Sequence, residues 1–198
     1  MISEQNKIKK VGELFSKKKY SELEKTVEAF GNVNDQTSLI INFYATSKLL
    51  NINSKKEDYL VAAEFLEKIY SSNTDQKINL YNLIIASINA NHFEYVEKYL
   101  YDEYSRDQNN PRILEGLSKM SYSRSNVEDA SKYFGEYAAT MKTNFKIWSS
   151  YLSISSLNGL IDQKKYLEIC KKVDQINYVK SKIPIKKKKD IKIKLAFI

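Results

Sequence analysis

His92 is the only histidine of this 198-residue chain and Cys170 is its only cysteine. Any chemistry that needs imidazole or thiol therefore has one side chain to draw on. A nucleophile and base couple requires a serine or cysteine within hydrogen-bond reach of the imidazole, and no motif sets one beside His92, which lies in the break "NANHFEY". It reads as a turn histidine facing water. Cys170, in "YLEICKKV", is spaced from Tyr166 and Val173 as residues of one helical face are, and reads as a buried packing residue. One Cys and one His cannot supply the N/S ligand set of a zinc site. No glycine-rich phosphate loop occurs, and "NGL" at Asn158, Gly159 and Leu160 reads as a helix break. The acids are scattered, as in Glu64 with Lys68 and Glu94 with Lys98, spacings that suit helix-surface ion pairs and not an acid–base dyad. The expectation is a noncatalytic chain with no catalytic residues, no metal and no cofactor.

The elements that carry these residues follow from composition. Hydrophobic residues make up 42% and charged residues 28%, and there are only 5 glycines and 2 prolines. Such scarcity of turn formers argues for long helices and short connections, an all-α domain. The net charge of +8 is local: from Lys180 onward there are eight lysines against Asp190, which leaves the preceding residues near neutral at +1. Three arginines, Arg106, Arg112 and Arg124, are few for a phosphate-gripping surface. A lone cysteine, no signal-like apolar stretch after "MISEQNKIKKVGELF", no Asn-x-Ser/Thr sequon and no apolar run near the roughly 20 residues of a membrane span give the expectation of a cytoplasmic protein without a transmembrane segment.

Blocks beginning at Ile78, Pro111 and Phe145 lie 33 and 34 residues apart, and each holds two helix-length segments around a short polar break. In the middle block Leu114 and Leu117 share a face of the first helix, and Ala130 and Phe134 a face of the second. Trp148 and Tyr151 stand at the places of Leu114 and Leu117 in the next block. Asn126 ahead of "VEDA" reads as an N-cap, and Gly31 as a helix-ending residue. With "TSLIINFYATSKLL" and "KKEDYLVAAEFLEKIY", and an opening pair "NKIKKVGELFSKK" and "YSELEKTVEAF", the chain counts about five hairpins. The period and pattern resemble the tetratricopeptide (TPR) family. The resemblance is degenerate, because the small residue that the family sets where paired helices approach is here Tyr44, Ile84, Ser118 and Leu152. Looser or differently angled hairpins are expected wherever that residue is large. The implied architecture is an α-solenoid over residues 1–182 with a concave groove lined by the first helices.

The resemblance implies peptide recognition by polar residues of that groove, where an amide offers a donor and an acceptor to a backbone. Asn42 and Asn82 take the family's asparagine position, which Gly116 and Ser150 interrupt. Tyr81, Asn89, Arg112, Glu115, Lys119, Tyr122, Lys146 and Ser153 are the neighbouring candidates. The plainer reading of all of these is a solvated helix face. The clamp by which some relatives hold a terminal carboxylate is unmatched, since Ile8 and Gly12 occupy its places.

The ending "IPIKKKKDIKIKLAFI" breaks the helical pattern. Residues 183–190, with Lys186, Lys187, Lys188 and Lys189, read as a basic linker, and residues 191–198 alternate as a β-strand does. The fold class expected is thus an all-α solenoid with a C-terminal linker and an orphan strand. That strand opens an α/β domain beyond this chain, or joins a partner's sheet, or belongs to a basic tail for nucleic acid or anionic membrane. The junction resembles that of TPR-linked glycosyltransferases similar to O-GlcNAc transferase, which implies a parent enzyme using a nucleotide sugar whose repeats recruit protein acceptors. Two functions stand side by side: a noncatalytic protein- or peptide-binding scaffold, which the resemblance of the junction makes the N-terminal acceptor-recognition part of a glycosyltransferase, and a self-standing adaptor that binds nucleic acid or anionic membrane through its lysines.

Overall fold

A computed structural model describes residues 2–72 and 77–180. Among them are ten α-helices: α1 (Glu4–Ser16), α2 (Tyr20–Glu28), α3 (Ser38–Leu50), α4 (Lys56–Ser72), α5 (Lys77–Ala90), α6 (Glu97–Arg106), α7 (Pro111–Ser123), α8 (Val127–Thr140), α9 (Phe145–Leu157) and α10 (Gln163–Lys180). They pair in order as five hairpins, and each second helix leads into the first helix of the next pair, most closely at α4 with α5.

Asparagine caps the starts of α7, α8 and α9. Asn110 accepts from the Arg112 N–H at 3.1 Å, and Pro111 takes the first helical position, where its missing N–H is no loss. Asn126 accepts from the Asp129 N–H at 3.2 Å, as the sequence predicts, and Asn144 from the Lys146 N–H at 3.1 Å. The stops are equally regular. Lys18, Asn91, Ser125 and Gly159 all take positive φ just after a first helix, and the following N–H reaches back over a closed turn. Lys19 bonds to the Leu14 carbonyl, His92 to Ser87, Asn126 to Ser121 and Leu160 to Ser155, at 2.8 to 3.0 Å. The turn between α3 and α4 is the exception, and it is the longer break "NINSKK". Ser87, Ser121 and Ser155 therefore recur every 34 residues in one geometry. Ser47 holds the same place on α3, seven residues after Ile40, and all four serines are buried. The same turn aligns Leu14 of the first hairpin with these serines.

The core runs continuously through the stack, from Val11, Leu23 and Ile40 through Leu66, Leu83 and Leu100 to Leu114, Trp148 and Ile169. Each fully buried leucine or isoleucine contributes about 2 kcal/mol of burial. The size of the residue at the approach point does not by itself set hairpin closeness: α7 and α8, with Ser118 there, pair closely, but so do α3 and α4 with Tyr44, whereas α5 and α6, with Ile84, approach least of the five pairs. Gly116 compensates from the neighbouring helix. A Cβ on it would lie 2.6 Å from Leu100 Cδ2 and 3.2 Å from Ile84 Cγ2, so α7 closes over the gap that α5 and α6 leave. The first helices α1, α3, α5 and α7 approach one another in sequence, whereas the second helices stay further apart at backbone level. The stack bends toward its first helices.

The expected fold class needs correcting at its end. The described residues contain no strand, and every regular element among them is helical. An all-α solenoid of five hairpins replaces the solenoid with an orphan strand: a lone strand requires a sheet edge to pair with, and no described element offers one. Residues 181–198, which hold the expected linker and strand, lie outside the described residues. Cys170 is also only half-buried, because the inward stripe of α10 is Ile169, Val173 and Ile176, which keeps Val173 of the expected face but leaves Tyr166 and Cys170 at its margin.

Candidate functional site

On the face of the first helices the sequence candidates fall into two clefts. The first, about 200 Å³, lies among α1, α3 and α5, with Asn42 and Asn82 in its wall beside Phe15 and Phe43. The two asparagines are not equivalent. The Asn42 side chain donates to Asn79 Oδ1 at 3.3 Å and accepts from Thr46 Oγ1 at 3.3 Å, so its amide is engaged within the fold. Asn82 has no hydrogen-bond partner among the described residues. Leu39 and Ile78 edge the same cleft with 48% and 64% of their surface in solvent, an apolar border that the polar candidates did not foretell. Their signal in the sequence is the apolar residue one position before Ile40 and two before Leu80 in the repeat register.

The second cleft, about 350 Å³, brings together Lys119, Tyr122 and Ser153 over Phe134 and Ile154. The Lys119 ammonium stands 5.6 Å from the Phe134 ring centroid, and Tyr122 is more than half exposed. Ser150, at the interrupted asparagine position, lines this cleft, and its hydroxyl donates to the Lys146 carbonyl at 3.0 Å. Gly116, the other interruption, is buried against α5 and α6 and has no part in the groove.

The remaining candidates are tied up or stand apart. The Tyr81 hydroxyl accepts from Asn110 Nδ2 at 3.1 Å, and Arg112 is paired with Glu115 at 3.0 Å. The Glu115 charge helps burial push the Tyr137 phenol up to about 12, with Arg112 opposing it. Asn89 and Lys146 are exposed and line neither cleft. The arginines are all spent on carboxylates: besides Arg112, Arg106 meets Glu103 at 2.6 Å, and Arg124 grips Glu97 through two bonds of 2.6 and 2.8 Å. The Arg124 bonds hold the Glu97 carboxyl below its ordinary range. Lys186, Lys187, Lys188 and Lys189 lie outside the described residues.

Among the described residues no group of three or more His, Cys, Asp or Glu side chains stands close enough to share a metal ion. His92 Nε2 lies 3.5 Å from Glu94 Oε2 in the turn before α6, so Glu94 is not the helix-surface partner expected for Lys98. Glu64 and Lys68 do form the expected pair, at 3.0 Å. No described helix is long and apolar enough to cross a membrane.

Helical hairpins at a 34-residue period, paired in order and bent toward their first helices, define a TPR-like repeat fold. No protein-family model and no curated protein matches the chain. Solved structures do match it over nearly its whole length, among them several of MamA. The chain is similar to MamA from Desulfovibrio magneticus RS-1, residues 41 to the end, with a TM-score of 0.70 and 10% identity over 90% of this chain and 97% of that one. It is similar to MamA MSR-1 with a TM-score of 0.68 and 12% identity over 90% and 98%, and to MamA AMB-1 with 0.67 and 11% over 88% and 92%. At such identities the likeness shows the fold alone.

Proposed function

We propose that the chain is a noncatalytic recognition scaffold that holds an extended protein segment along the face of its first helices. The observation that carries this reading is the pairing of unspent polar groups with exposed apolar edges in both clefts: Asn82 with Leu39 and Ile78 in one, Lys119 with Tyr122 in the other. An amide free to bond a backbone, next to apolar surface for side chains, is the chemistry of extended-peptide capture. The glycosyltransferase linkage implied by the junction stays outside this reading, because the residues that carry it lie beyond position 180.

The test is selection of a displayed library of random linear peptides on the full chain, followed by binding of the selected peptides to Asn82→Ala and Lys119→Glu. Both residues are on the surface, so the melting temperature should hold within a few degrees. Affinity for groove-selected peptides should fall about tenfold. Selected peptides that bind both variants as well as the parent chain would refute the groove.

A further inference from the structure

A third cleft, about 490 Å³, lies on the side of the second helices between α8 and α10, away from the groove. Trp148 and Ile176 form its apolar part, and Lys142 and Lys172 supply its charge. The Lys172 ammonium stands 4.7 Å from the Trp148 ring centroid. Neither lysine has a carboxylate partner among the described residues, and no acidic residue is in the described lining. Thr143 places the cleft beside the start of α9, where the helix dipole adds positive potential. The Trp148 indole N–H, in a side chain only 7% exposed, has no hydrogen-bond acceptor among the described residues.

The chain itself shows what fills such gaps. Between α4 and α6, Tyr99 packs on Tyr70 with ring centroids 4.9 Å apart and donates to Glu67. Between α6 and α8, Tyr104 packs on Tyr133 at 5.4 Å and donates to Glu136. An aromatic ring with a carboxylate beside it closes both junctions. At α8 and α10 the described residues supply a ring in the wall and two ammonium groups, but no ring in the gap and no carboxylate.

We propose that this cleft docks an acidic segment of a partner protein, one aromatic side chain entering over Trp148 and flanking carboxylates pairing with Lys142 and Lys172. Charge selects this occupant over the chain's own ending, since residues 181–198 carry seven lysines and one acid, Asp190, and would meet like charge at both lysines. This surface is independent of the groove, and its test reads a different residue.

Trp148 is the only tryptophan, so its emission reports occupancy of the cleft directly. The probe is a terminally blocked peptide, Asp-Glu-Phe-Glu-Asp, titrated into the full chain, with Asp-Glu-Ala-Glu-Asp and Lys-Lys-Phe-Lys-Lys as comparisons. The expected result is a saturable emission change with the first peptide only. Lys142→Glu and Lys172→Glu should each weaken it about tenfold, and added salt should weaken it further, whereas Lys164→Glu, outside the cleft, should leave it unchanged. Equal binding of the basic peptide, or indifference to both charge reversals, would overturn the proposal. So would a shift of ligand-free emission in Leu195→Ala/Phe197→Ala, which would assign the cleft to the chain's own ending, or emission that changes with protein concentration, which would assign it to a second copy.

Discussion

The Tyr104 hydroxyl donates to Glu136 Oε2 at 2.8 Å, and five residues back on α6 the Tyr99 hydroxyl donates to Glu67 Oε1 at 2.9 Å in the opposite direction along the stack. One short helix thus fastens the second helices on both sides of it. Burial and the adjacent glutamates push both phenols up to about 12 from an ordinary value near 10. Tyr44, bonded to Glu28, is pushed up to about 12 in the same way.

These phenols are expected to contribute to the loss of stability at alkaline pH. A folded value above the unfolded one means that their stabilisation is complete below about pH 10 and is lost as pH rises toward 12. Urea midpoints measured from pH 8 to 12 should fall across that window. Tyr104→Phe should cost about 1 kcal/mol at pH 8 and make the alkaline fall shallower. An unchanged alkaline slope would remove Tyr104 from this account.

Lys48 is the polar centre of the first two hairpins. It is 6% exposed, bonded to Asp58 at 2.8 Å and to Glu24 at 3.3 Å, with its ammonium 5.0 Å from the Tyr44 ring centroid. Burial alone would lower its pKa, and the Asp58 bond with the neighbouring negative charges overrides that and raises it. Lys48→Ala leaves two carboxylates facing a vacated stem and should cost about 3 kcal/mol by denaturant titration. Lys48→Met keeps the stem packing and should recover part of the loss. The Asp58 carboxyl is held below its ordinary value by Lys48 and by the Lys55 N–H. Its contribution is therefore present above about pH 4 and is lost as pH falls through the lowered value; the Lys48 variants should lose less stability on acidification than the parent.

At Gly116 the added Cβ of valine would meet Leu100 inside van der Waals distance, and Leu100 is fully buried. Gly116→Val should destabilise the chain by about 2 to 3 kcal/mol. Leu100→Ala combined with it should cost less than the two changes measured apart, because one vacates the space that the other needs.

Leu114 with Leu117, and Trp148 with Tyr151 one period on, made the repeat legible, because apolar residues at a fixed period must face one core. The cap at Asn126 was legible for the same local reason, a side chain bonding three residues ahead. The serine row was not: a hydroxyl carries no hydropathy signal, although Ser87, Ser121 and Ser155 mark the same 34-residue period as Leu80, Leu114 and Trp148. Gly116 was legible as an interruption of the asparagine position, but its burial was not, because its surroundings, Ile84 and Leu100, are set by helices distant in sequence. The groove candidates were legible as positions on a face. Their hydrogen-bond state was not, since Asn42 is engaged by Asn79, 37 residues away, and Asn82 is not.

The loose pairing of α5 with α6 changes how the molecule can come apart. Stability in a stacked array divides into what each unit holds by itself and what adjoining units lend it. The third hairpin draws its cohesion from outside, through Tyr99, Tyr104 and the Gly116 approach of α7. Thermal opening therefore has no weak seam to follow at the hairpin boundaries on either side of α6. The middle of the array is expected to open as one cooperative block with fraying left to its two ends, which native-state hydrogen exchange would read as uniform protection from α4 to α8.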